Sequence, residues 1–174
     1  MARILVVDDQ EMTRDSLVAI LGRDGHEVVV CSDASTAIQK ISDGRRVDLM
    51  ISDLRMPNVG GMELLAEARR QRPEMPVVLM TAFATVQTAV EAVKLGAYDY
   101  IQKPFEADEI KLLVSRTLDH MRLKLENAAL RTIADVSSPR ALVGSSSAME
   151  EVKKQIDLLA QSDATVLILS LIHI

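Results

Sequence analysis

The chain has no tryptophan and only two tyrosines and two phenylalanines in 174 residues. Its core must therefore be assembled from Leu, Ile, Val, Met and Ala. A single cysteine, Cys31, excludes an intramolecular disulfide and suits a reducing compartment. Its place in the run Val28-Val29-Val30-Cys31 points to a buried structural thiol rather than a reactive one. Positive charge is also lacking in surplus: the net charge is −5, which argues against non-specific nucleic-acid binding through counterion release. No apolar run approaches the ~20 residues that would cross a bilayer. The start, Met1-Ala2-Arg3-Ile4, leads into a strand pattern rather than a signal peptide. What remains is a chain 48% hydrophobic and 26% charged, the balance of a soluble globular protein. We expect a cytoplasmic protein with one domain and an additional piece.

Short β-rich runs alternate with longer helical ones. Strands are expected at Arg3–Val7, His26–Cys31, Val47–Ser52, Pro76–Met80 and Tyr98–Gln102. Helical spacing of apolar residues marks Met12–Leu21, Ala34–Ile41, Gly61–Arg70 and Val86–Leu95, the last closed by Gly96, and a long helix begins at Glu106. Strands and helices in strict alternation imply βαβ crossovers and a parallel sheet covered on both faces. In such sheets a site forms at the carboxyl ends of the strands.

Those ends carry polar residues of particular kinds. The first strand runs into Asp8-Asp9, the third into Asp53, the fourth into Thr81 and the fifth into Lys103. Each has a local alternative when taken singly. Asp9 could cap the following helix, Asp53 could serve the turn before Pro57, Thr81 could cap a helix, and Lys103 could be a surface charge before Pro104. Jointly they describe one acidic cluster at one sheet edge. A divalent cation is the natural neutraliser, and magnesium commonly uses one or two carboxylates plus phosphate oxygens. Lys103 adds a positive point charge and Thr81 a hydroxyl donor, a set suited to positioning a phosphoryl group. A carboxylate can itself be the nucleophile that accepts it.

The combination of "ILVVDD", "DLMISDLRMPNVGGMELL", "VVLMTA" and "DYIQKPF" resembles the receiver domain of two-component response regulators, over residues 1 to about 120. The resemblance implies a doubly wound, flavodoxin-like five-stranded parallel sheet in the order 2-1-3-4-5. It implies that Asp53 accepts a phosphoryl group from the histidine of a sensor kinase. Asp8 and Asp9 would hold Mg2+ together with Asp53, Asp9 more directly than Asp8, and the backbone carbonyl of Arg55 would complete the protein ligands. Thr81 and Lys103 would meet phosphoryl oxygens, and Tyr100 stands where the family has its switch aromatic. Met56-Pro57 and the pair Gly60-Gly61 would turn the backbone sharply after Asp53. An aspartyl phosphate adds charge and acceptor oxygens, so the Val86–Leu95 helix and the last strand are the expected moving element.

The long helix is unbroken to about Asp135, with Leu118, Met121, Leu125 and Ala128 along one face. That is a candidate two-helix seam and a linker, so self-association is expected through it and through the fourth-helix/fifth-strand face. Val136-Ser137-Ser138-Pro139-Arg140 marks a boundary. The segment "ALVGSSSAMEEVKKQIDLLAQSDATVLI" resembles the opening of the AAA+ ATPase domain of nitrogen-regulator (NtrC) class proteins, which activate sigma-54 RNA polymerase. The expected organisation is a receiver over 1–120, a linker over 121–140, and a truncated ATPase start over 141–168. Residues 169–174 (LSLIHI) have the look of a truncation scar, with His173 incidental. No G-x-x-x-x-G-K-[ST] loop occurs, so no nucleotide site of that kind is expected. DNA and polymerase contacts would then belong to absent parts. Two rivals remain at this point: a stand-alone receiver acting by protein contact, and a Mg2+-dependent phosphohydrolase.

Overall fold

In the computed structural model, residues 1–83, 85–137 and 144–160 are described. The element order is β1 (Arg3–Val7), α1 (Glu11–Arg23), β2 (Glu27–Cys31), α2 (Ala34–Ser42), β3 (Leu49–Asp53), α3 (Gly61–Gln71), β4 (Val77–Thr81), α4 (Val86–Lys94), β5 (Asp99–Gln102), α5 (Ala107–Ser137) and α6 (Ser147–Leu159). The five strands are parallel, in the order β2-β1-β3-β4-β5. This is the doubly wound sheet expected from the sequence.

The strands alternate their side chains between two apolar layers, as the period of two requires. Leu5, Val7, Met50, Val77 and Leu79 pack with Ala37, Ile41, Leu64, Leu65, Ala68 and Ala92 from α2, α3 and α4. Ile4, Val6, Leu49, Ile51, Val78, Met80 and Ile101 pack on the other side with Leu17, Leu21, Ile110, Leu113 and Val114 from α1 and α5. Cys31 is buried, and burial pushes its thiol pKa up, in keeping with a structural role.

Element boundaries shift by a few residues, each for a local reason. His26 falls outside β2 because its amide donates to the Leu21 carbonyl at 3.1 Å, closing α1 around Gly25 at φ +80°. Asp48 precedes β3, where its carboxylate accepts the Arg3 amide at 2.8 Å while its own amide donates to the Arg3 carbonyl. At the other end β3 extends one residue further than expected and includes Asp53 itself, paired with Met80 of β4. Val136 and Ser137, expected in a breaker, are the end of α5. The apolar run 165–174 lies outside the described residues.

Compactness divides the chain after Glu126, into units of residues 1–126 and 127–174. Within the first unit, Leu118 packs against the α1/α5 layer, whereas Leu125 is exposed. Within the second, α6 is capped by Ser146, whose hydroxyl accepts the Met149 amide at 3.3 Å. Among the described residues, no helix is long and apolar enough to cross a membrane.

Candidate phosphoryl-acceptor site

Strand β1 delivers Asp8 fully buried to the sheet edge, and β3 delivers Asp53 nearly as deep beside it. The Lys103 ammonium, on the loop after β5, bridges them: its Nζ lies 2.6 Å from Asp8 Oδ2 and 2.6 Å from Asp53 Oδ1. Its side chain is only 12% exposed, so Lys103 is not a surface charge. The other carboxylate oxygens are held by the main chain. Asp8 Oδ1 accepts the Gln10 amide at 2.9 Å and Asp53 Oδ2 the Arg55 amide at 3.0 Å. Two carboxylates and one ammonium thus share a desolvated corner at the carboxyl edge of the sheet.

Burial holds the Asp8 carboxyl above its ordinary pKa, against the hydrogen bonds from Lys103 and Gln10 that favour the anion. Burial also disfavours the Lys103 cation, yet its hydrogen bonds to Asp53 and Asp8 prevail and its pKa is raised. The two directions are compatible. One lysine divided between two acids stays charged, and the deeper acid remains short of compensation.

Thr81, the last residue of β4, is buried, and its Oγ1 accepts the Phe83 amide at 3.2 Å. It does not cap α4; Thr85 does, with its side chain accepting the Thr88 amide. Lys103 is tied to the same strand end, its amide donating to the Thr81 carbonyl at 2.7 Å. The Lys103-Pro104 peptide is cis. Asp9 does not join the buried group. Its side chain is exposed, and it does not cap α1, whose cap position is Gln10 without a side-chain bond. The half-buried Tyr100 on β5 points its hydroxyl at Thr88 Oγ1 of α4, 3.1 Å away.

The turn after Asp53 works differently from the sequence expectation. The left-handed residue is Asn58, at φ +67°, and not a glycine. Gly61 serves close approach instead: a Cβ there would stand 2.2 Å from the Asp53 carbonyl oxygen and 2.8 Å from Leu54 Cα. The Gly61 amide donates to the Leu54 carbonyl at 3.0 Å, which locks the start of α3 onto the end of β3.

Three contributors had no signal in the sequence. Arg14 of α1 donates from Nη1 to the Asp8 carbonyl at 2.6 Å and so fixes the β1–α1 loop. Phe83 holds the Thr81 hydroxyl through its amide and lies under the Arg55 guanidinium, 5.1 Å from carbon to ring centroid. Thr88 meets Tyr100. Phe83 and Thr88 meet partners that only the folded sheet brings near, and Arg14 reaches back six residues from α1 to the end of β1. Asp53, Thr81, Lys103, Arg55 and Phe83 line a cavity of about 610 Å³, room enough for a phosphoryl group and its water.

Whether the donors suit a divalent cation can be judged from the two carboxylates. Asp8 and Asp53 converge on one cationic atom, so they are already arranged around a positive charge. Asp8 is under-compensated as an anion. Two carboxylates plus water match the habits of Mg2+. Among the described residues, no group of three or more His, Cys, Asp or Glu is gathered closely enough to form a ready-made metal cage.

Comparison with known proteins bears on the family and the fold. The family profile described as "Response regulator receiver domain" matches residues 4–115. The transcriptional regulatory protein ZraR of Klebsiella oxytoca is 40% identical over 165 residues, covering 95% of this chain and 36% of that protein. The nitrogen assimilation regulatory protein NtrX of Azorhizobium caulinodans is 34% identical over 167 residues, with the same shares. The crystal structure of NtrX from Brucella abortus in complex with ATP superposes with a TM-score of 0.72 at 38% identity, over 91% of this chain and 34% of that one. A response regulator receiver domain protein from Clostridium thermocellum does so with a TM-score of 0.67 at 28% identity, over 71% of this chain and 98% of that one. The chain spans about a third of the length of the curated relatives it matches.

Proposed function

The chain belongs to the response regulator receiver family, and from that premise we propose that it is the phosphorylation-switched input module of a two-component transcriptional regulator, with Asp53 as the phosphoryl acceptor. The observation that carries the proposal is the Lys103 ammonium held at 2.6 Å from both Asp8 and Asp53, where Asp53, Lys103 and Thr81 line one cavity and Asp8 lies buried behind them.

The phosphoryl donor is the phosphohistidine of a sensor kinase. An Asp53 carboxylate oxygen attacks phosphorus, the phosphorus–nitrogen bond breaks, and an acyl phosphate forms on the side chain. The main-chain bond from Arg55 and the Lys103 contact hold the carboxylate in one orientation beforehand. Lys103 then keeps its charge beside the new phosphoryl oxygens. Thr81 uses its hydroxyl as an acceptor from Phe83, which leaves the hydroxyl proton free to be donated to a phosphoryl oxygen. Mg2+ would be held by Asp8, Asp9, Asp53 and the Arg55 carbonyl, and when bound it supplies neutralisation of the phosphoryl charge.

In this reading Thr81 turns its hydroxyl toward that phosphate, which strains its bond to the Phe83 amide and disturbs the loop into α4. Tyr100 follows from β5, and the α4–β5 face changes. In this reading the change alters self-association through that face and through the linker helix, in a cytoplasmic protein that is a signal relay and not a turnover enzyme. Residues 141–168 are read as the start of an AAA+ ATPase domain of the sigma-54 activator class, whose polymerase and DNA contacts lie beyond the receiver.

The test is incubation with a small acyl-phosphate donor and Mg2+, wild type against Asp53→Asn, followed by intact mass and sedimentation. Stoichiometric labelling of the wild type alone, with a change in association state only when labelled, is expected. Continuous turnover of phosphoesters, or a donor-dependent association change in Asp53→Asn, would overturn the reading.

A further inference from the structure

Tyr100 is tied to the first turn of α4 through one side chain. Its hydroxyl lies 3.1 Å from Thr88 Oγ1, and Thr88 Oγ1 in turn faces Thr85 Oγ1 at 3.0 Å and the Thr85 carbonyl at 3.0 Å. The Thr85 amide donates to Thr88 Oγ1 at 3.2 Å, and the Thr88 amide donates to Thr85 Oγ1 at 3.1 Å. Thr88 is therefore both the third residue of the helix and the inner half of its capping box, a place that glutamate or glutamine usually fills. A longer side chain could satisfy the Thr85 amide, but it would not place a hydroxyl beside both Thr85 and Tyr100.

We infer that Thr88 is a positioning residue that fastens the Tyr100 hydroxyl to the N-terminal cap of α4, so that the tyrosine and the helix start move as one unit. The sheet supplies the rest of the geometry. Tyr100 pairs with Leu79 of β4, two residues before Thr81, so its ring is anchored to the strand that carries the hydroxyl of the acceptor site. Along α4 the only buried residue is Ala92. Among the described residues, the Thr85–Thr88–Tyr100 chain of hydrogen bonds ties that first turn to the sheet. The link to signalling rests on the phosphorylation reading above; the tether itself rests on the hydrogen bonds alone.

The Ala89 amide donates to the Thr85 carbonyl at 3.0 Å, so its hydrogen exchange reports the integrity of that first turn. The experiment is a cycle of wild type, Tyr100→Phe, Thr88→Val and the double variant, with amide exchange at Ala89 read by NMR. Thr88→Ser serves as the conservative control. Tyr100→Phe is expected to speed Ala89 exchange about fivefold in the Thr88 background, the factor a hydrogen bond of ordinary net strength sustains. It should add nothing further in the Thr88→Val background, and Thr88→Ser should retain wild-type protection. Non-additivity of this kind is the signature of a direct tether. If Tyr100→Phe left Ala89 unchanged, or acted equally in both backgrounds, the inference would be wrong. Labelling of Asp53 by the acyl-phosphate donor is measured on the same wild-type sample. Its failure would remove the phosphorylation reading, while the cycle would still decide the tether.

Discussion

Helices α3 and α4 lie on the same side of the sheet, each follows a strand that ends in a site residue, and they are anchored very differently. Helix α3 buries Gly61, Leu64, Leu65 and Ala68. Its first residue is pressed against the Asp53 carbonyl, and Glu63 returns a carboxylate to the Gly60 amide at 3.1 Å. Helix α4 buries Ala92 alone. Val86, Val90 and Val93 are 84%, 47% and 63% exposed, and the helix start is held by a threonine pair and one tyrosine hydroxyl. Asp53, the proposed acceptor, stands before the well-packed helix and Thr81 before the loosely packed one. The proposed switch would keep a carboxylate aimed while its surroundings move, and that asymmetry suits it, since local opening concentrates where apolar burial is least.

The largest effect is expected where β3 meets α3. Gly61→Ala forces a methyl group into the Asp53 main chain, which cannot give way without displacing Asp53. A loss above about 3 kcal/mol in urea unfolding is expected. A loss under about 1 kcal/mol would mean that the junction yields, and the contrast between the helices would weaken.

The packing itself is compared by truncation. Leu65→Ala should cost about 3 kcal/mol, because a fully buried side chain leaves a cavity. Val93→Ala on α4 should stay within about 0.5 kcal/mol. Similar costs at the two positions would break the comparison outright.

How much of this was legible in the sequence follows from the same contrast. The strand ends, and with them Asp8, Asp53, Thr81 and Lys103, could be read because apolar runs of five residues and the alternation with helices fix a parallel sheet. The resemblance to receivers then assigned roles. What the sequence could not show was how the edge is stitched together. The Asn58 conformation was hidden behind two glycines that looked like better turn residues. Arg14, Phe83 and Thr88 act through contacts across elements, and nothing in their own neighbourhoods marks them. The exposure of Asp9 was equally hidden, because two adjacent acids read alike on the page although successive residues leaving a strand face opposite sides.

A smaller effect concerns charge at the carboxyl edge of the sheet. The folded-state pKa of Asp8 lies above its ordinary value of 3.8 because of burial. An acid shifted that way binds its proton more readily in the folded state, so its ionised form costs stability at neutral pH. The cost fades as pH falls through the raised value. Asp8→Asn should therefore raise the metal-free urea midpoint at pH 7, and the gain should shrink on acidification. A gain that grew toward low pH would contradict the assignment. The shift of Lys103 has the opposite consequence: raised above 10.5 by its two carboxylates against the opposing effect of burial, it contributes stability below that pH, lost only as pH rises through the higher folded value.

The unequal anchoring of α3 and α4 is tested by following both helices in one sample. Amide hydrogen exchange is followed along α3 and α4 before and after a small acyl-phosphate donor is added with Mg2+, with the mass of the Asp53-bearing peptide as the label count. One label on Asp53, altered protection in α4 and β5, unchanged protection in α3, and no response in Asp53→Asn are expected. Labelling that left α4 as unmoved as α3, or an α4 response in Asp53→Asn, would contradict that expectation.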